Sequence, residues 1–363
     1  MDDGIDTGID AGDSAGADAV PAKALTEWLR AEVPEVAVGT AGDGPVTVQR
    51  ISGGHSNLTY RIVDANGVAW ALRRPPTGGV LATAHDMGRE WGFIAALAPT
   101  AVPVPVPVAF CADHDVIGAD FYLMRFVDGQ VLGDAEAGAD MPLAVRHAAG
   151  LACADTLAEL HAVDPDAVGL GRLRRPGSYL ERQLRRWHRQ AHESSIEDLS
   201  ALDTAHDLLT ARQPADEEQV IAHGDYRPGN LSFDRAGHVA AIFDWELATI
   251  GEPLADLGYL LASWGRPGDT VPGITAGPTV LEGWPERDEI VARYAEKSGR
   301  GERIAAQSTY FEAFARWRFA CIGAGVYTRY QAGHMGERPD EEELRTRHDD
   351  VQIQARRAVD MLS

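Results

Sequence analysis

The stretch His223-Gly224-Asp225-Tyr226-Arg227-Pro228-Gly229-Asn230, followed by Ile242-Phe243-Asp244-Trp245-Glu246, decides how this chain reads. It sets an Asp, an Asn five residues on, and a second Asp fourteen residues beyond that. The flanking segments Gln219-Val220-Ile221-Ala222 and His238-Val239-Ala240-Ala241-Ile242-Phe243 are short, apolar and partly β-branched, so they predict strands. Asp225 and Asn230 then fall in a loop between extended segments, and Asp244 at a strand end. Phosphoryl transfer from ATP needs such a set. One carboxylate positions and deprotonates an acceptor hydroxyl, while an Asn and a second carboxylate hold Mg²⁺ against the phosphates.

Upstream of this stretch the pattern is a small sheet with one helix. Leu25, Trp28 and Leu29 have helical spacing within 22–32, and Pro34 ends the helix. Residues 46–51 and 59–63 alternate as strands around the loop Ser52-Gly53-Gly54-His55-Ser56-Asn57. Asn66-Gly67 is a two-residue hairpin signal leading into a return strand at 68–73. The Gly-rich turn therefore joins two strands, whereas a Walker loop or a dinucleotide fingerprint leads from a strand into a helix. As part of a kinase, Ser52, Gly53, Gly54, Ser56 and Asn57 form a hairpin lid over phosphates. The third strand then supplies a cation, Arg73, with Arg74 on the opposite face. A helix is expected over 84–97, and its Glu90 can pair with that cation. Residues 109–111 and 121–127 predict a further strand pair around an acidic turn. The connecting segment with Met124 and Phe126 faces the adenine, and Asp128-Gly129 marks the domain boundary.

Downstream, helices are expected over 142–161, 179–192, 199–212, 253–264, 286–297, 305–330 and 341–361, with the short strand pair of the opening stretch among them. The expected domains are a disordered acidic tail at 1–22, a nucleotide-binding sheet domain at 23–127 and a helical domain at 128–363. This is an α+β, bilobal architecture.

Composition narrows the function. The chain has 363 residues, 45% hydrophobic and 24% charged, with a formal charge of −22. Such acidity disfavours nucleic-acid partners, whose phosphates it repels. No apolar run reaches the length of a membrane-spanning helix. The first twenty residues carry six Asp and no basic residue, unlike a signal peptide. Cys111, Cys153 and Cys321 lie far apart in apolar contexts, which fits core thiols in a reducing, cytoplasmic setting.

Together these residues resemble the aminoglycoside phosphotransferase and choline kinase group, which has the protein-kinase-like fold. The resemblance rests on the loop at 52–57, Arg73, Glu90, His223-Gly224-Asp225 through Asn230, and Phe243-Asp244-Trp245-Glu246. Three runs point to the branch related to domains fused to acyl-CoA dehydrogenases. They are Leu72-Arg73-Arg74-Pro75-Pro76, Arg182-Gln183-Leu184-Arg185-Arg186-Trp187, and residues 244–251.

The resemblance implies that Asp225 is the catalytic base and that Asn230 and Asp244 bind Mg²⁺. It also implies that Arg73, held by Glu90, meets the α/β-phosphates of ATP or GTP. Asp256 is expected to brace the catalytic loop, with His161 and His223 as loop-positioning residues. Arg182, Trp187, Tyr226, Trp245 and Glu246 are candidates for the acceptor site. The acceptor class is a small-molecule hydroxyl, in a hydroxy acid or hydroxyacyl-CoA ester, with an aminoglycoside as the alternative. Arg73 departs from the usual Lys and is not an equivalent cation, so a nucleotide-binding pseudokinase is a further alternative. A protein kinase is disfavoured, because only a dozen residues separate Asp244 from Asp256 and leave no room for an activation segment.

Overall fold

Five short strands build an antiparallel sheet in the first part of the chain: β1 (Thr47–Ile51), β2 (Leu58–Val63), β3 (Ala69–Arg74), β4 (Pro107–Cys111) and β5 (Phe121–Arg125), in the order β1-β2-β3-β5-β4. The computed structural model describes residues 20–38, 45–51, 57–76, 86–215, 218–266, 277–333 and 339–363. The chain divides into two units, one of Met1–Gln130 with Ala240–Glu246, the other of Val131–Val239 with Leu247–Ser363. The boundary expected at residue 128 puts 240–246 in the helical domain. These residues instead join the first unit, where the Ile242 N–H donates to the Pro103 carbonyl at 2.8 Å.

In the first unit β2 and β3 pair from Leu58↔Arg74 to Val63↔Ala69. Asp64 closes their turn, accepting from the N–H groups of Asn66 and Val68, both at 2.9 Å, and from the Trp70 indole at 3.1 Å. Burial pushes the Asp64 carboxyl up, but these donors outweigh it and hold its pKa below the ordinary value. Gly67 sits at φ 78°, a left-handed conformation that favours glycine. Alternation along β3 sends Trp70, Leu72 and Arg74 to one face and Ala71 and Arg73 to the other. The first face packs on α1 (Ala22–Glu32) through Leu25 and Leu29. On α2 (Met87–Leu97), Asp86 caps the N-terminus through the Arg89 N–H, and Glu90, Phe93, Ile94 and Leu97 are buried. The acidic turn between β4 and β5 contains a one-turn helix, α3 (His114–Ile117).

The short strand β6 (Gln130–Val131) and α4 (Ala135–Ala139) lead into the second unit. Its helices are α5 (Leu143–Ala162), α6 (Tyr179–His192), α7 (Ser200–Ala211), α8 (Pro253–Ser263), α9 (Arg287–Ser298), α10 (Gly301–Gln331) and α11 (Glu341–Leu362). Helix α10 packs on α8 and α11, and α5 packs on α9. Between α7 and α8 lie β7 (Val220–Ala222), β8 (Leu231–Phe233), β9 (Val239–Ile242) and β10 (Thr249–Gly251). The strand pair of the opening stretch differs from expectation, because β7 pairs with β10, from Thr249↔Ala222 to Gly251↔Val220. At three residues β10 is too short to announce itself by alternation. Glu252 anchors the start of α8. Fully buried, it caps the Leu254 N–H, accepts from the Glu218 N–H at 2.9 Å and pairs with Arg303 at 3.1 Å.

Candidate active site

In the first unit, Arg73 of β3 bridges Glu90 of α2 and the segment carrying Asp244. Arg73 Nε lies 2.9 Å from Glu90 Oε1, and Nη2 lies 2.8 Å from Asp244 Oδ1. One guanidinium thus joins a fully buried carboxylate to a partly exposed one. Burial works against the Arg73 charge, but Glu90, Tyr122, Asp244 and Glu246 outweigh it and push its pKa further up. For Glu90, burial raises the pKa more than Arg73 lowers it. The Asn57 amide donates to Glu90 Oε2 at 3.2 Å, so Asn57 secures the ion pair. Asp244 has φ 65°, the positive φ of a non-glycine residue among those described. Such a conformation costs about 1–3 kcal/mol and concentrates at functional sites. Among the contacts that hold the segment, the Trp245 ring stacks on Phe93 at 6.3 Å and 13°, and its indole N–H donates to the Ile242 carbonyl.

In the second unit, the turn after β7 is tied to the first turn of α8. Asp256 accepts the backbone N–H of His223 at 2.6 Å and that of Gly224 at 2.8 Å. His161 Nε2 lies 3.3 Å from the same carboxylate, and His161 Nδ1 lies 2.7 Å from the Tyr294 hydroxyl. A neutral imidazole satisfies both contacts, with Nε2–H donating to Asp256 and Nδ1 accepting from Tyr294. Burial pushes the His161 pKa down, against the pull of Asp256. Burial would raise the Asp256 carboxyl, but the donors around it win and lower its pKa. Gly224 stands at φ 82°, and a Cβ there would approach the Leu247 carbonyl to 2.8 Å. Only glycine fits this corner.

Beyond the corner, Asp225 donates its N–H to His223 Nδ1 at 3.2 Å. The Asn230 amide nitrogen donates to the Asp225 carbonyl at 2.8 Å and to Asp225 Oδ2 at 2.7 Å. Arg227 Nε lies 3.5 Å from Asp225 Oδ1, and Tyr259 hydrogen-bonds the same carboxylate from α8. The Asn230 amide nitrogen is thus committed to Asp225. An amide oxygen such as that of Asn230 and a carboxylate such as that of Asp244 are each hard donors of the kind Mg²⁺ takes.

The candidates for the acceptor site fare differently. Tyr226 is fully buried, with its hydroxyl on the Cys153 carbonyl at 2.9 Å, and Trp245 is buried as described. Trp187 is buried with Arg186 and Arg318 over its ring at 4.9 and 5.0 Å. Arg182 donates to the carbonyls of Pro176 and Gly177 at 3.0 and 2.6 Å. The three aromatics pack in the interior and Arg182 ties down the loop before α6, in a region where an amphipathic pattern marks core and ligand faces alike. Glu246 is half-buried, and its carbonyl accepts from Arg89 at 3.4 Å. Met124 is buried in β5, pairing with Ala71, and Phe126 lies under the Arg61 guanidinium at 5.4 Å. Ser52, Gly53, Gly54 and Ser56 lie outside the described residues. Tyr259, Arg227 and Tyr294 went unnoticed in the sequence. Of these, Tyr259 had a signal, standing three residues after Asp256 on the same helix face.

This antiparallel sheet unit followed by a helical unit is a kinase-like phosphotransferase fold. Residues 47–296 match the phosphotransferase enzyme family, and the chain belongs to that family, whose members are small-molecule kinases. A solved structure from Ralstonia eutropha, provisionally described as an aminoglycoside phosphotransferase, is 31% identical. It covers 94% of this chain and 97% of its own at TM-score 0.75. An aminoglycoside 2'-phosphotransferase solved with GDP shares the fold at 17% identity and TM-score 0.60, with coverage of 92% and 98%. Acyl-CoA dehydrogenase family member 11 of Rattus norvegicus is 31% identical over 86% of this chain, and that of Homo sapiens 32% over 82%. The chain spans 40% of the first and 38% of the second. Among the described residues, no helix is long and apolar enough to cross a membrane.

Proposed function

We propose that this chain is an ATP- and Mg²⁺-dependent O-phosphotransferase acting on the hydroxyl of a hydroxy acid or hydroxyacyl-CoA ester. The observation that carries it is the Asp225–Asn230 pair, held on a corner that Asp256 and Gly224 rigidify. Asp225 orients the acceptor hydroxyl and takes its proton as the new O–P bond forms to the γ-phosphorus. The bond to the β-phosphate oxygen breaks, and ADP leaves. Arg73, kept charged by Glu90 and Asp244, meets the α/β-phosphates. Asn230 and Asp244 are the residues that would hold Mg²⁺, which when bound neutralises charge on the phosphates.

The acceptor class is supported by the relatives, whose names place this kind of domain within acyl-CoA dehydrogenase family members. The Ralstonia structure supports the aminoglycoside alternative. The buried, unpaired thiols fit a reducing cytoplasm.

The test is Mg²⁺-dependent phosphorylation of a panel of hydroxy acids, hydroxyacyl-CoA esters, amino sugars and choline-like alcohols. Phosphorylated hydroxyacyl product is expected, and Asp225→Asn should lower kcat by on the order of 10²–10⁴-fold with ATP binding retained. Turnover of amino sugars alone would replace the acceptor class. ATP binding without product from any acceptor would make the chain a pseudokinase.

A further inference from the structure

Helices α6 and α7 carry a group of side chains that phosphoryl transfer does not use. His188 and His192 stand one turn apart on α6, and Asp203 faces them from α7. Both imidazole Nε2 atoms lie 2.8 Å from the same oxygen, Asp203 Oδ1. One ligand atom from each of the three residues lies within 4.8 Å of the others. The His188 and His192 rings are 4.4 Å apart. His206, one turn along α7 from Asp203, stacks on His188 at 4.0 Å and 24°, with Trp317 of α10 at 5.9 Å and Asp207 Oδ1 3.4 Å from its Nδ1.

We propose that His188, His192 and Asp203 form a binding site for a divalent transition-metal ion, Zn²⁺ foremost, clipping α6 to α7. Two histidines at i and i+4 present their nitrogens on one helix face, the arrangement by which a helix grips zinc. The carboxylate supplies the anionic third ligand. Zn–N and Zn–O distances of about 2.0–2.2 Å in a tetrahedral site place the ligand atoms about 3.3–3.5 Å apart, so the 2.8 Å contacts open by about half an ångström as the ion displaces the Nε2 protons to solvent. Only small side-chain rotations are needed. The side chains are 31%, 46% and 43% exposed, so water can fill the fourth position and an ion has a way in.

Two imidazoles and one carboxylate select borderline ions (Zn²⁺, with Cu²⁺ and Ni²⁺ as competitors), while Mg²⁺ prefers all-oxygen sites. The site is therefore chemically distinct from the hard-oxygen donors proposed for Mg²⁺. His206 stacked on His188 restrains that ring from the side. The turn at 193–199 between the helices is itself fastened to α10, because the Ser195 N–H donates to the Thr328 hydroxyl at 2.9 Å. An ion at the cluster would close the gap between two helices already joined at that turn.

The experiment uses the untagged full chain, stripped with a chelator and titrated calorimetrically with Zn²⁺ in excess Mg²⁺. One equivalent should bind, with a rise in the thermal unfolding midpoint that the chelator reverses. His192→Ala and Asp203→Asn should each weaken binding by on the order of tenfold or more. His114→Ala, in the exposed His114–Asp120 pair, should leave binding unchanged. Co²⁺ in place of Zn²⁺ should show visible d–d bands without thiolate charge transfer. Absence of binding tighter than about 0.1 mM, or binding unaltered in both cluster variants, overturns the proposal. So does a thiolate signature, which would move the ion to a cysteine.

Discussion

At Arg73 one planar side chain meets two carboxylates, and its geometry decides what a substitution would do. Nε serves Glu90 and Nη2 serves Asp244, whereas a lysine presents a single ammonium and reaches one of them. Glu90 is buried, so losing its partner leaves an uncompensated charge. Arg73→Lys should therefore raise the KM for ATP and lower kcat/KM by on the order of tenfold, although lysine is the cation expected at this position in kinases. Steady-state kinetics with varied ATP checks this, and unchanged constants would show that the fork is dispensable. Gly224→Ala is the second residue-level case. It combines a left-handed φ with a Cβ 2.8 Å from the Leu247 carbonyl. The expected loss is about 1–3 kcal/mol in chemical unfolding, together with lost turnover as the corner moves Asp225.

The first turn of α8 works as an element, since Asp256 ties the catalytic corner to His161 and, through it, to Tyr294 on α9. Buried His161 has a pKa below its ordinary value. As the pH falls through about 6.5, the unfolded chain binds this proton and the native chain does not. Stability is therefore lost on acidification, with a limiting slope of about 1.4 kcal/mol per pH unit for this group. The lowered Asp256 pKa adds its loss further down, below about 3.9. In His161→Gln the amide keeps a donor and an acceptor but cannot titrate. Its urea-unfolding free energy should fall less steeply between about pH 7 and about pH 5 than that of the parent. His206 and Glu90, which also have shifted values, remain in both proteins and cancel in the comparison.

Legibility in the sequence followed element length and chemistry. The helix Tyr179–His192 and the β2–β3 hairpin were readable because a 3.6-residue period and an Asn-Gly turn each repeat a physical constraint. Strands such as Thr249–Gly251 carry too few residues for a period. Asp225, Asn230, Asp244 and Asp256 stood out as polar groups interrupting apolar strands or helix. Tyr226, Trp187 and Trp245 are buried, and in sequence an aromatic looks the same whether it faces a ligand or the core.

Across the whole molecule, 55 acidic residues face 33 basic ones, leaving a formal charge of −22. Two effects of salt then oppose each other. Added ions screen the ion pairs of the second unit, among them Arg300–Glu218 at 2.8 Å and Arg303–Glu218 at 2.6 Å, and such half-exposed pairs are worth about 0–1 kcal/mol each. The same ions screen the repulsion among the excess carboxylates, which acts over a Debye length of about 10 Å at 0.1 M and opposes the compact state. The pairs Arg73–Glu90 and Arg303–Glu252 involve fully buried carboxylates and are shielded from solvent ions. Repulsion is therefore the larger salt-sensitive contribution. Raising KCl from about 0.02 M to about 0.3 M should increase the midpoint of thermal unfolding, by about 2–4 °C for each kcal/mol of repulsion relieved. Differential scanning calorimetry at fixed pH measures this directly. A midpoint that falls with salt would show that the partly exposed ion pairs outweigh the surplus charge.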